Sequence, residues 1–262
     1  MINSNSNNNN GRSKPLILVC NDDGIFAPGI TALAEVAAEF GEVTVVAPDR
    51  QQSAVGHAIT VTDPLRSRPF KINDKLNGQA VNGTPADCVK LAHNNLLDRK
   101  PDMILSGINH GSNAGINILY SGTVSAATEG TILGYPSIAV SCTAYEESAD
   151  LTGCQEAVRR VIRFVLENKL PPGITLNVNA PAGPLKDLQW TRQANSRYIE
   201  EYESRVDPNN KPYFWITGTL EILDDREDLD LNVLEAGIGS VTPIQYDLTA
   251  YPFLKKYDDT SL

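Results

Sequence analysis

What most constrains this chain is a repeated couplet, in which a short unbroken apolar run ends in a polar turn and is followed by apolar residues at helical spacing. Leu16-Ile17-Leu18-Val19-Cys20 is the first such run, and Asn21-Asp22-Asp23-Gly24 breaks it. A strand without polar alternation is one buried on both faces. After Pro28-Gly29, the apolar positions Ile30, Leu33, Ala37 and Phe40 recur with helical period, and Val43 to Ala47 forms a second run. A strand, helix, strand order of this kind implies a parallel pair joined by a right-handed crossover.

The pattern loosens between Asp49 and Asn82, which read as strands and loops. Thr84-Pro85-Ala86-Asp87 then carries a helix start, with Thr84 as N-cap, Pro85 at the first helical position and Asp87 at the third, and the helix is expected to reach about Leu97. Met103 to Leu105 reads as a strand, Ser106 to Asn117 as a Gly/Asn-rich loop, Val124 to Leu133 as a helix and Ile138 to Val140 as a strand. Cys154 to Glu167 and Ile174 to Val178 add one more helix and strand. The expected fold class is therefore α/β, a doubly wound, mostly parallel sheet.

The division expected along the chain is a disordered polar tail over residues 1–14, an α/β catalytic core over 15–181 and a β-rich segment over 182–262. In that last part the aromatics Trp190, Tyr198, Tyr202, Tyr213, Phe214 and Trp215 concentrate, and Asp224 to Asp230 forms an acidic stretch.

Charge narrows the partners. With a formal net charge of -10 over 262 residues and no long basic run, the chain is ill suited to a nucleic acid polymer. An acidic protein that handles a small anion needs local positive charge, and a metal ion is the natural supplier. Cys20, Cys88, Cys142 and Cys154 show no CxxC spacing and read as buried reduced thiols. No basic n-region with an apolar stretch opens the chain, and no apolar run nears the roughly twenty residues that span a bilayer. A cytoplasmic protein with no membrane partner is expected.

Three polar clusters fall just after expected parallel strands, the edge at which open α/β sheets bind ligands. They are Asn21-Asp22-Asp23-Gly24, Pro48-Asp49-Arg50-Gln51-Gln52-Ser53 and Ser106-Gly107-Ile108-Asn109. Each alone is an ordinary turn or loop. Together, two adjacent carboxylates, a hydroxyl and an amide oxygen make an all-oxygen set suited to Mg²⁺, Mn²⁺ or Ca²⁺. His57, His93 and His110 share no metal-binding spacing, which argues against zinc. A fourth element, Tyr120-Ser121-Gly122-Thr123, opens an expected helix, whose first N–H groups could cradle a phosphate or could simply be a small-residue cap. The segment has no P-loop lysine, and no GxGxxG follows the first strand.

These segments, with Ala47-Pro48-Asp49-Arg50, Val81-Asn82-Gly83-Thr84-Pro85-Ala86-Asp87, Glu129-Gly130 and Ser240-Val241-Thr242-Pro243, resemble the SurE survival-protein family of 5′/3′-nucleotidases from about Pro15 to Tyr251. The chain departs from the family's usual residues at Ala54, Asn117 and Ser125. The resemblance implies a Rossmann-like core with a β-rich C-terminal extension used in homodimer or homotetramer assembly. It implies one divalent ion, Mg²⁺ or Mn²⁺, held by Asp22, Asp23, Ser53 and Asn109, and phosphate contacts from Asn109, Ser121, Gly122 and Thr123. The expected activity is hydrolysis of nucleoside monophosphates, with Asp23, Asp22 and Asn109 at the reacting centre and Asp23 assisting proton removal from water. An aspartyl-nucleophile phosphatase and a silent nucleotide-binding protein remain as alternatives.

Overall fold

The computed structural model describes residues 14–199 and 201–257, so nearly all of the expected polar tail lies outside the described residues. In chain order the elements are β1 (Leu16–Cys20), α1 (Pro28–Ala37), β2 (Glu42–Pro48), β3 (Ser67–Lys71), β4 (Asn77–Val81), α2 (Pro85–Leu91), β5 (Met103–His110), α3 (Gly122–Ile132), β6 (Ser137–Cys142), α4 (Thr152–Asn168) and β7 (Ile174–Ala180). There follow β8 (Leu188–Trp190), β9 (Ser196–Ile199), β10 (Tyr202–Val206), β11 (Pro212–Ile216), β12 (Thr219–Ile222), α5 (Asp230–Glu235), β13 (Gly239–Gln245) and α6 (Tyr251–Tyr257).

Nine strands form one sheet in the order β3-β4-β2-β1-β5-β6-β7-β13-β8. The run from β4 to β7 is parallel throughout, while β3 and β13 pair antiparallel with their inner neighbours. The expected fold class is confirmed. Two strands from beyond residue 181, β8 and β13, belong to this same sheet. Both lie next to β7 or beyond it because sheet pairing is decided by long-range packing that local pattern does not carry. Strands β9 to β12 form two small antiparallel pairs beside it.

The unbroken apolar character of β1 follows from its central place. Ile17 and Val19 join one core cluster with Ile30, Leu33 and Ile162, and Leu18 and Cys20 join another with Val89, Ile104 and Ala126. Successive side chains on a strand point to opposite faces, so each face must be apolar. Helices α1 and α4 cover one side of the sheet, and α2 and α3 the other. Fully burying one such aliphatic side chain contributes roughly 1.5–3 kcal/mol, so β1 anchors both layers.

Local signals are read out at α2. Thr84 Oγ1 accepts from the Asp87 N–H at 3.1 Å while the Asp87 carboxylate accepts from the Thr84 N–H at 2.9 Å, a reciprocal capping box. The helix is shorter than expected, because a wider π turn takes over at Ala92–Leu96. The expected loop after Leu105 also differs. β5 continues to His110 because Asn109 and His110 keep pairing with Ser141 and Cys142 after a register shift between Ser106 and Asn109. All four cysteines are free and buried, as expected.

Strand order reverses at β1, which touches β2 on one side and β5 on the other. The carboxyl ends of β1 and β5 therefore flank a crevice, the place where doubly wound sheets bind ligands.

Candidate active site

A cavity of about 370 Å³ opens at that crevice, and Asp22, Asp23, Ser53, Asn109 and Ser121 all line it. A larger one of about 540 Å³ sits at the opposite, amino end of β5 and β7 between Tyr135, Leu170 and Pro171, and no pair of carboxylates converges there. Size does not pick the site; chemistry does.

Asp22 is the most enclosed member, with only 5% of its surface exposed. Burial pushes its carboxyl up to about 6, and the neighbouring Asp23 charge adds to this, against hydrogen bonds from Thr123. The Thr123 hydroxyl donates to Asp22 Oδ1, and the Thr123 backbone N–H also bears on that carboxylate. Thr123 is fully buried at the start of α3, with its hydroxyl engaged by the carboxylate. Gly122 lies in the same contact, for a Cβ there would stand 2.8 Å from Asp22 Cβ and 3.0 Å from Oδ2. Only glycine lets the first turn of α3 approach so closely.

Asp23 is half-buried, and burial raises its carboxyl as well, countered by the His110 N–H, which donates to Oδ2 at 3.3 Å. Asn109 donates from Nδ2 to the carbonyls of His110 and Gly111 at 3.2 and 2.7 Å, so the amide keeps Oδ1 as its remaining acceptor. Ser53 reaches the cavity from the loop after β2, which is tied to β1 by the Gln52 N–H donating to the Asp22 carbonyl at 2.7 Å.

Among the described residues no three His, Cys, Asp or Glu side chains gather as a metal-holding group. The donor set is instead two carboxylates completed by neutral oxygens. It fits a hard divalent cation, because two adjacent carboxylates, one buried and one half-buried, both held above their usual range, carry unbalanced negative charge that such an ion offsets.

Ser121 lines the cavity but its Oγ also caps α3, accepting from the Val124 N–H at 3.0 Å. The cap of the two expected alternatives is present, on a residue that also faces the cavity. The preceding turn, Gly115–Leu119, is fixed from a distance by buried Asp230, which accepts from the N–H groups of Gly115 at 2.9 Å, Ala194 at 3.0 Å and Leu231 at 2.8 Å. On α3 itself, buried Glu129 accepts from Lys90 at 2.9 Å and pairs with His57 at 2.9 Å.

Sequence reasoning did not single out Gln51, His110, Tyr120 or Tyr145 as site residues, although each lines the cavity. For Tyr145 a signal existed, since it follows β6 and so lies at a fourth parallel strand end.

The site's parts come from segments 22, 53, 109 and 121, and comparison with known proteins tests the same span. The model of the family described as Survival protein SurE matches residues 17–200. The 5′-nucleotidase SurE of Cytophaga hutchinsonii is 50% identical over 246 residues, covering 92% of this chain and 95% of that protein. The 5′-nucleotidase SurE of Christiangramia forsetii is 46% identical over 256 residues, 96% of this chain and 98% of that one. The crystal structure of the SurE protein from Aquifex aeolicus superposes with a TM-score of 0.80 at 41% identity, covering 94% of this chain and 99% of that chain. With the match running through every strand end that builds the cavity, this chain belongs to the SurE survival-protein family.

Proposed function

We propose that the chain is a divalent-metal-dependent 5′-nucleotidase, hydrolysing nucleoside monophosphates to nucleoside and phosphate. The observation that carries the reading is the Asp22–Asp23 pair at the strand-order reversal, the first buried and the second half-buried, facing a cavity it shares with Asn109, Ser53 and Ser121. The names of the relatives support the same activity.

In this reading Asp22, Asp23, Ser53 and Asn109 hold one Mg²⁺ or Mn²⁺. When bound, such an ion offsets phosphoryl charge and acidifies water in the cavity. Thr123 fixes the Asp22 carboxylate, so that its oxygens need no reorganisation on binding. Asp23, open to the cavity, takes up the proton of the attacking water. Asn109, Ser121 and the Gly122 N–H contact the phosphate, favoured by the positive end of the eleven-residue helix α3.

The reading extends to assembly and location. The β10–β11 pair exposes Tyr202, Phe214, Ile216 and Trp215, the last 57% exposed, and apolar surface of this kind marks contact sites. We place a homodimer or homotetramer contact there, measurable by sedimentation. Four free buried thiols accord with a reducing, cytoplasmic compartment. Among the described residues no helix is long and apolar enough to cross a membrane.

The test is phosphate release from a nucleoside monophosphate with Mn²⁺, then with chelator, then in Asp23→Asn. Loss in both cases supports the reading, and activity that survives both overturns it.

A further inference from the structure

The catalytic cavity does not end at Asp23. A second hollow of about 400 Å³ adjoins it, and the two share Asp23, Gln51, His110 and Tyr145 as walls. Beyond those shared residues the annex is bounded by Phe26 and Glu147.

Its chemistry differs from that of the first cavity in two ways. Its charged lining is only acidic, Asp23 and Glu147, with no lysine or arginine. A second phosphate is therefore repelled, whereas a neutral group rich in O–H and N–H donors finds acceptors. Two aromatic rings also stand at its rim, Phe26 at 64% and Tyr145 at 75% exposure. Both rings are held in place. Phe26 packs edge-on against Phe70, with centroids 4.8 Å apart and planes at 74°. The Tyr145 ring lies on the backbone of Gly111, where a Cβ would come within 2.5 Å of Cε1 and where φ is +95°. Rings anchored on one side and left open on the other make platforms for a planar ligand. At the junction between the hollows, both ring nitrogens of His110 are buried and have no partner among the described residues.

We infer that this annex binds the nucleoside end of the substrate, with the base against Tyr145 and Phe26, the sugar at the His110 and Gln51 junction, and Glu147 accepting from its hydroxyl or amino donors. The inference rests on the phosphatase reading of the adjoining cavity. It accounts for what that reading leaves open, namely what would hold the nucleoside of a nucleoside monophosphate. The annex takes a neutral planar group, and the first cavity takes the anion.

The experiment compares two substrates, a nucleoside 5′-monophosphate and methyl phosphate, in the wild type, Tyr145→Ala and Phe26→Leu. Leucine keeps an apolar contact with Phe70, and both positions are exposed, so thermal unfolding should match the wild type. For the nucleotide, kcat/KM is expected to fall about tenfold for each ring removed, carried by KM. For methyl phosphate it should not change in Phe26→Leu, whose side chain lines only the annex; Tyr145→Ala, at the shared wall, is read as the ratio between the two substrates, which should fall. Equal loss on both substrates, or no loss on either, would overturn the annex while leaving the phosphatase reading intact. A wild type that releases phosphate from neither substrate would remove both.

Discussion

Replacing Thr123 with valine removes one hydroxyl and leaves the helix start otherwise intact. The hydroxyl it removes donates to Asp22 Oδ1, inside a contact where Thr123 is fully buried and Asp22 is 5% exposed. Valine puts a methyl group where the hydroxyl stood, so the Asp22 carboxylate loses this partner without a cavity being opened. A hydrogen bond to a charged group contributes about 1.5–3 kcal/mol, more than a neutral one, because the carboxylate is otherwise undercompensated. Converted at about 1.4 kcal/mol per decade, that is roughly a 10- to 150-fold effect on whatever the Asp22 carboxylate holds. Groups that support a metal-binding carboxylate typically change affinity or activity by about 10- to 100-fold, in agreement. The assay is phosphate release as a function of Mn²⁺ concentration. Thr123→Val should shift the half-saturating concentration upward by about that factor, with activity recovering at high Mn²⁺. Thr123→Ser keeps the hydroxyl and should behave within about threefold of the wild type. If valine leaves the Mn²⁺ curve where it was, or if serine is as damaging as valine, then the hydroxyl does not support the site and the reasoning fails.

Two further outcomes follow from contacts outside the cavity. Asp230→Ala orphans three backbone N–H groups, those of Gly115, Ala194 and Leu231, and should lower stability by about 3 kcal/mol or more, read as a drop in Tm of several degrees, while Asp230→Asn should cost less. Burial alone would raise Glu129, but its bonds from His57 and Lys90 outweigh burial and hold its carboxyl below the usual range. The stability it contributes is therefore present above the unfolded-state carboxylate value and is lost as pH falls through the lower folded value. Glu129→Gln should accordingly destabilise most near neutral pH, and the gap in denaturant midpoint should close in acid; a gap that widens in acid would contradict the assignment.

Much of the fold was legible because it is written in short-range pattern. The unbroken run Leu16 to Cys20, the Thr84/Asp87 box and the apolar face of α4 each express a local rule, and each appears where the residues place it. What pattern could not show is pairing between distant segments. Nothing in Ser240 to Gln245 says that this strand lies antiparallel against β7, and nothing in Ser106 to His110 says that β6 will hold those residues in the sheet. The candidate site divides the same way. Asp22, Asp23, Ser53 and Asn109 were legible as strand-end polar residues, whereas the direction of Thr123 depends on how closely α3 can approach β1, which Gly122 decides. His110 and Tyr145 were missed because His110 was weighed only for metal-binding spacing, within an expected loop, and the segment after Val140 was not read as a further strand end.

The place of β1 between β2 and β5 also bears on how the protein is made. Its Val19 finds a partner in Val45 soon after it leaves the ribosome, but the other edge waits for Leu105. At roughly 5–20 residues per second that wait lasts on the order of 5 to 20 seconds, with an apolar strand edge unpaired throughout. The segment Leu16 to Cys20 is then the part of the nascent chain most exposed to mispairing with its neighbours and most in need of a chaperone. Synthesis slowed between residues 48 and 103 should lower the soluble yield more than the same delay after β5 is complete.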